Sequence, residues 1–395
     1  MATLPLDVCI RGAGVVGRTL ALLLARDRLR VGLVPTPPAA APVGAAEPQT
    51  PAGTAEPHTD VRAYALNAAS RGLLESLRAW PDAPFCTPVA GMEVQGDDGG
   101  QLYFDAAAQA TDALAWIVDL PALETRLAEA LRYQPLVEML AAPRPAALTV
   151  VCEGRTSATR AEFGVAFDTT PYPQRAIAAR VACEKPHGGI ARQWFLPDGV
   201  LALLPLGGPG GSTAALVWSA DLARAPALMA LDAEAFARAV QAATQDALGA
   251  ITLHSPRADW PLQFSSADRW TGAVPAAAGT KGATRSWVLA GDAAHTVHPL
   301  AGQGLNLGLA DAAELARVLH ERDYWRSPGD ARLLRRYERS RKAALWPMGL
   351  ATDGLQQVFS LPGRPWQALR NWGLRGFDAS GPVKAWVARQ AMGIR

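Results

Sequence analysis

"LDVCIRGAGVVGRTLALLLARDRLRVGLV", Leu6 to Val34, is the stretch on which the fold turns. The apolar run Leu6 to Ile10 reads as a strand that meets Gly12, Gly14 and Gly17; a helix follows through Leu24, and a second strand spans Val31 to Val34. A GxGxxG pattern alone is weak, but one that ends a strand, opens a helix and returns to a strand has a mechanism. Gly12 makes the turn, Gly14 lets a pyrophosphate approach the backbone, and Gly17 lets helix and strand pack. The spacing predicts a dinucleotide site; the alternative is a glycine-rich turn without a ligand. An acid that binds a ribose hydroxyl normally ends the second strand, and here those positions hold Val34 and Pro35.

Outward from this unit, "TPPAAAPVGAAEPQTPAGTAEPHTD" is too poor in large apolar side chains to build structure and reads as a flexible surface insertion. Order resumes at Asp60 to Ser70, which lead into a helix carrying Leu73, Leu74 and Leu77. "LAWIVDLPALETRLAEAL" turns from strand to amphipathic helix, and "ALTVVCEGRTSATR" ends a strand at a turn before Arg160. From Ile177 to Trp218 four short strands, "IAARVACEK", "GIARQWFL", "VLALLPL" and "TAALVWS", are separated by Pro and Gly, which predicts an antiparallel sheet. After Ala310 the pattern is helical, with breaks expected at Pro328, Pro347, Pro362 and Pro382.

A second dense stretch, "GDAAHTVHPLAGQGLNLGLADAA" from Gly291, allows several chemistries. Asp292, His295 and His298 could supply metal ligands, but Pro299 biases His298 toward an extended conformation and breaks any shared helical face. A hydrolytic site lacks a GxSxG elbow, and Ser265 and Ser266 have no motif around them. A polar loop that satisfies itself is a third reading. A cradle for a large cofactor accounts for more residues. Gly302 and Gly304 admit a close backbone approach, and Leu305, Leu309, Ala312, Leu315 and Leu319 recur at helical spacing. Unpaired amides at that helix start would favour an anionic or electron-rich group.

The composition suits a globular chain of two or three packed units: 395 residues, 49% hydrophobic and 19% charged. A net charge of +2 and the lack of a basic stripe interleaved with aromatics argue against nucleic acid as a partner. Cys9, Cys86, Cys152 and Cys183 lie far apart without metal-type spacing, so they read as reduced, small, buried residues of a cytoplasmic protein. Neither a signal peptide nor a bilayer-length apolar run is visible.

Taken together, "GAGVVG", "DVRAYALNAASRGLLESL", "CEGRTSATR", "GDAAHTVHPLAGQGLNLGLADA" and "YERSRKAALWPMGLATDGLQQVFS" resemble the flavin hydroxylases of ubiquinone biosynthesis, the UbiH, UbiF and UbiI group, which have the fold of para-hydroxybenzoate hydroxylase. The resemblance implies an α/β fold: an FAD-binding Rossmann-like domain with an inserted antiparallel-sheet substrate domain and a C-terminal helical region. It implies a discontinuous FAD-binding domain over 1–79, 110–170 and 276–330, a substrate domain over 80–109 and 171–275, and a helical region over 331–395. It places Gly12, Gly14 and Gly17 at the FAD pyrophosphate, Arg62 beside the cofactor and Asp292 on the ribityl hydroxyls. Pro299 would lie near the flavin edge, with Gly302, Gly304 and Leu305 at the carbonyl end of the ring. His295 and His298 become packing or hydrogen-bonding residues, and no metal is implied.

The activity implied is hydroxylation of a phenolic, polyprenylated aromatic by O2, with NADPH or NADH as transient electron donor and the cofactor carrying the hard chemistry. No catalytic side chain is assigned. Glu153 stands where the family's middle motif usually has Asp. Trp194, Leu203, Leu204 and Pro205 are candidates for an apolar substrate wall, with plain core packing as the alternative. From Phe359 to Arg395 aromatic residues alternate with Arg and Lys against the single acid Asp378. That mixture suits either a peripheral contact with the inner face of the membrane or packing on the protein's own core. Two alternatives stay open: a soluble catabolic aromatic hydroxylase, and a non-catalytic subunit of a quinone-biosynthesis assembly that keeps the fold without FAD; a biosynthetic complex is among the partners the resemblance implies.

Overall fold

The computed structural model describes residues 5–36, 60–96, 100–208, 210–274, 285–296 and 304–360, with side chains to residue 345. The chain opens with β1 (Leu6–Arg11), α1 (Val15–Arg26) and β2 (Val31–Val34), and resumes at β3 (Ala63–Leu66) and α2 (Ala68–Ser76). Four strands follow, β4 (Cys86–Val89), β5 (Gly91–Gln95), β6 (Gln101–Asp105) and β7 (Ala115–Asp119). Next come α3 (Leu120–Arg132), β8 (Val137–Met139), β9 (Ala146–Val151) and α4 (Ala158–Glu162). The middle of the chain forms β10 (Phe167–Cys183), β11 (Ile190–Leu196), β12 (Gly199–Leu206) and β13 (Thr213–Asp221). Then come α5 (Ala225–Ala230), α6 (Ala233–Ala243), β14 (Ile251–Leu253), β15 (Ala258–Ala267) and β16 (Thr271–Ala273). The described chain closes with β17 (Ser286–Leu289), β18 (His295–Thr296), α7 (Gly304–His320) and α8 (Ala331–Ser360).

Six strands form a sheet in the order β16-β17-β9-β1-β2-β8, parallel except for β16 against β17. Its central strands are apolar on both faces: all four residues of β2 and of β17 are buried. Such runs belong in a parallel sheet covered by helices, and α1 and α7 pack together over this one. Val8, Ile10, Leu33, Val150 and Leu289 meet Leu20, Leu24 and Leu315 in one core. Each such residue, fully buried, contributes roughly 1.5–3 kcal/mol.

A second sheet has the order β18-β15-β10-β13-β12-β11-β5-β6, with β14 beside β10. It is antiparallel apart from β5, which runs parallel to β11 with Gly91 opposite Ile190. The expected short strand near Ile177 is one part of the 17-residue β10, whose pairing with β15 shifts register between Pro171 and Arg175. A small antiparallel sheet, β3-β7-β4, is interleaved in sequence with the second one, since β5 and β6 fall between β4 and β7. The break expected at Pro347 does not occur, because Pro347 falls inside α8. Proline costs a helix one hydrogen bond and bends it without always ending it.

Candidate functional site

Gly12 ends β1 with φ +113°, and a side chain there would run into the Cys152 carbonyl at the end of β9. Gly17, one turn into α1, faces the Gly12 carbonyl just as closely, so helix and strand meet only because both residues lack a Cβ. Gly14 is different: nothing lies within 4 Å of the place its Cβ would take. It caps α1 without a side-chain hydrogen bond, and no acid stands in the first turn. Open backbone at a helix N-terminus is suited to an anionic ligand.

Arg62 precedes β3 and donates its Nε to Asp60 Oδ1 at 2.9 Å and Oδ2 at 3.0 Å. Arg18 of α1 donates to the Glu124 carbonyl at 2.8 Å, and Glu124 also lies in the field of Arg62. Tyr64 follows on β3; burial pushes its phenol up, and the charges of Arg62 and Asp292 act on it in opposite directions. Asp292, exposed, is nonetheless crowded by protein, and this desolvation pushes its carboxyl up against the pull of His295, Arg155 and Arg62. Val16, in the first turn of α1, packs against both Gly291 and Gly308. The structure therefore brings Gly12, Gly14 and Gly17, Arg62 and Asp292 to one side of the parallel sheet, at the carboxyl ends of its strands, where ligands bind in such folds.

Gly304 and Leu305 begin α7, and Leu305 packs beside the cluster of Leu66, Leu74 and Leu309. Pro299, Gly302 and His298 lie outside the described residues. Asn306, unmarked in the sequence, fixes that helix start: its Oδ1 accepts the Asn67 N–H at 2.9 Å and the Ser70 hydroxyl at 2.7 Å, and its Nδ2 donates to Ala65 O at 2.7 Å. His295 is buried, stacks on Trp270 with 5.0 Å between ring centroids, and meets Asp311 at 2.7 Å. Burial alone would raise the Asp311 carboxyl, yet His295 and Arg341 hold it below the usual range. An acid between Gly308 and Leu315 on the apolar face of a helix is the readable sign of this buried group, which apolar periodicity alone does not show.

Glu153 accepts the Ser157 hydroxyl at 2.7 Å, the Thr159 N–H at 3.1 Å and Arg11 Nε at 3.2 Å. Burial would raise its pKa, but hydrogen bonds from Thr159 and Ser157 and the Arg11 charge keep it low. With its extra methylene, this carboxylate anchors its own loop and ties it to the end of β1. Arg160, also buried, donates to Ala293 O at 3.1 Å and so joins the same loop to the turn that carries Asp292.

Of the four candidate wall residues, Trp194 and Leu203 take the core-packing alternative, under α5 and α6 with Trp218 and Phe236. Leu204, on the other face of β12, packs against the cluster of Val89, Ile117, Ala191, Leu206 and Ala215, as do Ala63 and Ala65 of β3. Pro205 is buried. Alternation along β12 separates Leu203 from Leu204, which a list of apolar residues does not reveal. Among the described residues no group of three His, Cys, Asp or Glu is placed to hold a metal, the cysteines are free, and no helix is long and apolar enough to cross a membrane.

Residues 145–349, slightly more than half of the chain, match the family model described as an FAD binding domain. The ubiquinone hydroxylase UbiL of Rhodospirillum rubrum is 30% identical over 98% of this chain and 89% of its own length. The 3-demethoxyubiquinol 3-hydroxylase of Escherichia coli is also 30% identical, with 100% of both chains covered. Among solved structures, p-nitrophenol 4-monooxygenase PnpA from Pseudomonas putida shares the fold with a TM-score of 0.71 at 18% identity, covering 100% of both chains. Gly14 and the open start of α1 fit the pyrophosphate of FAD, and an exposed carboxylate at Asp292 fits its polyol. The expected fold class and cofactor both hold: the chain belongs to the flavin hydroxylase family of ubiquinone biosynthesis, FAD-dependent monooxygenases with the para-hydroxybenzoate hydroxylase fold.

Proposed function

We propose that this monooxygenase hydroxylates the ring of a phenolic, polyprenylated intermediate of ubiquinone biosynthesis, drawing on O2 and on NADPH or NADH. The end-to-end match to the E. coli 3-demethoxyubiquinol 3-hydroxylase carries this reading, and the UbiL match supports it. FAD, when bound, supplies acceptance of a hydride from the nicotinamide and activation of oxygen toward an electron-rich ring.

The chain's own part is to bind, orient and shield. Gly12, Gly14 and Gly17 would seat the pyrophosphate against the first amides of α1, with Arg62 adding positive charge beside it. Asp292 would accept hydrogen bonds from ribityl hydroxyls. The first-turn amides of α7, at Gly304 and Leu305, would favour negative charge at the carbonyl end of the ring. Pro299 and Gly302 complete the proposed set. Leu204 and the small residues beside it would give an apolar wall that keeps water from the reacting ring. In the proposed division the six-stranded sheet holds the cofactor and the nine-stranded sheet holds the substrate.

A polyprenyl tail would be presented from a bilayer, so a peripheral membrane contact through residues 359–395 belongs to the same proposal. That contact lies outside the residues with described side chains. The test is NAD(P)H oxidation by the purified flavoprotein with a short-chain prenylated phenol, in the presence and absence of oxygen, with the product weighed by mass spectrometry. A product heavier by one oxygen atom is expected. Equal NAD(P)H oxidation with and without the phenol, and no hydroxylated product, would contradict the proposal.

A further inference from the structure

Asp311 has no accessible surface, yet its carboxylate meets two other stretches of the chain, the turn from Gly291 to His295 and α8. Oδ2 accepts the Gly291 N–H at 2.8 Å and lies 2.7 Å from His295 Nε2. Oδ1 accepts Arg341 Nε, from α8, at 2.6 Å. Gly291 and His295 stand on either side of Asp292, so one carboxylate grips the main chain before that residue and a side chain after it. The turn between them closes on a hydrogen bond from Ala294 N–H to Gly291 O at 2.8 Å. Arg341 also donates Nη2 to Leu307 O at 3.3 Å, which ties α8 to the first turns of α7.

A buried ion pair is a weak source of stability, since apolar side chains of the same volume fill such space as well or better. What it supplies is direction, because charge-assisted hydrogen bonds fix donors and acceptors in angle as well as distance. We infer that Asp311, held by Arg341 and His295, is a positioning residue that sets the Asp292 carboxyl for the cofactor's polyol and couples the flavin loop to α8. The inference rests on the reading of Asp292 as the ribityl ligand. Arg341 acts through Asp311 and is not itself part of the proposed binding set.

Apoprotein of the full chain is titrated with FAD as wild type, Arg341→Met, Arg341→Lys, Asp292→Ala and the Asp292→Ala/Arg341→Met double variant. Quenching of flavin fluorescence reads affinity, carried to concentrations that saturate the weakest binder, and circular dichroism checks each fold. Arg341→Met is expected to weaken FAD binding roughly tenfold or more and to shift the visible bands of bound flavin. Arg341→Lys, which keeps the charge but loses the paired Nε and Nη2 donors, should recover only part of that affinity. On the Asp292→Ala background the Arg341 change should add little, since the carboxyl it positions is gone. A folded Arg341→Met protein with wild-type affinity, or losses that add in full in the double variant, would overturn the inference. Wild-type affinity in Asp292→Ala would instead overturn the ribityl reading. Should Arg341→Met fail to fold, His295→Gln gives the same comparison by loosening one grip without removing the buried charge pair.

Discussion

Gly12 has a backbone angle that other residues avoid and no room for a methyl group, so Gly12→Ala must push the end of β1 away from Cys152. Strain of about 1–3 kcal/mol is expected, read as a lower urea midpoint of the apoprotein, together with loss of bound flavin. His187 makes a different kind of prediction. Its Nε2 lies 2.9 Å from Leu206 O and its Nδ1 accepts the Gly189 N–H at 3.0 Å, which fixes a neutral ring with the proton on Nε2. Burial, opposed by the Leu206 bond and helped by Arg192, lowers its pKa. The unfolded chain therefore takes up this proton at a higher pH than the folded one. Stability should be full above the ordinary histidine range and decline as pH falls from about 6.5 through the folded value. His187→Gln should flatten that part of the stability curve, and equal slopes in both proteins would count against it. At Glu153, the bonds to Ser157, Thr159 and Arg11 suggest a loop anchor. Glu153→Ala should slow flavin reduction by the nicotinamide more than it weakens FAD retention, measured by stopped flow and by ultrafiltration; equal reduction rates would show the anchor to be idle.

At the scale of elements, local pattern made some of the architecture readable and left some of it hidden. The glycines between Ile10 and Arg18 announce β1 and α1 because a tight turn and close packing each demand a missing side chain. Short apolar runs separated by Pro and Gly likewise mark β11, β12 and β13. The parallel pairing of β5 with β11 joins residues about 99 positions apart in sequence, Gly91 and Ile190, and leaves no local period to read. Asn306 and Asp311 were hidden for a related reason: their partners lie in β3, α2, β18 and α8, and a single helix pattern shows only that two polar residues sit on an apolar face. Composition also misjudged Pro347, since a long helix packed along other elements can absorb one proline. Pro347→Ala should raise thermal stability, because it restores a hydrogen bond within α8; no change or a loss would contradict this.

For the whole molecule, the six-stranded and nine-stranded sheets are tied by β18, which leaves the Asp292 turn to pair with β15. The proposed membrane contact belongs to this scale. Liposomes with anionic lipid should co-sediment the wild type, with binding that weakens in salt and falls when Arg370, Arg375 and Lys384 are changed to Glu; a folded variant that sediments like its parent would favour packing on the protein's own core. The central claim is flavin-dependent hydroxylation of a prenylated phenol, and isotopically labelled dioxygen tests it most directly. Purified protein, loaded with FAD and supplied with NAD(P)H and the phenol under labelled oxygen, should return a ring-hydroxylated product carrying one labelled oxygen atom. A colourless protein that takes up no FAD, or a product whose new oxygen comes from water, would contradict the account.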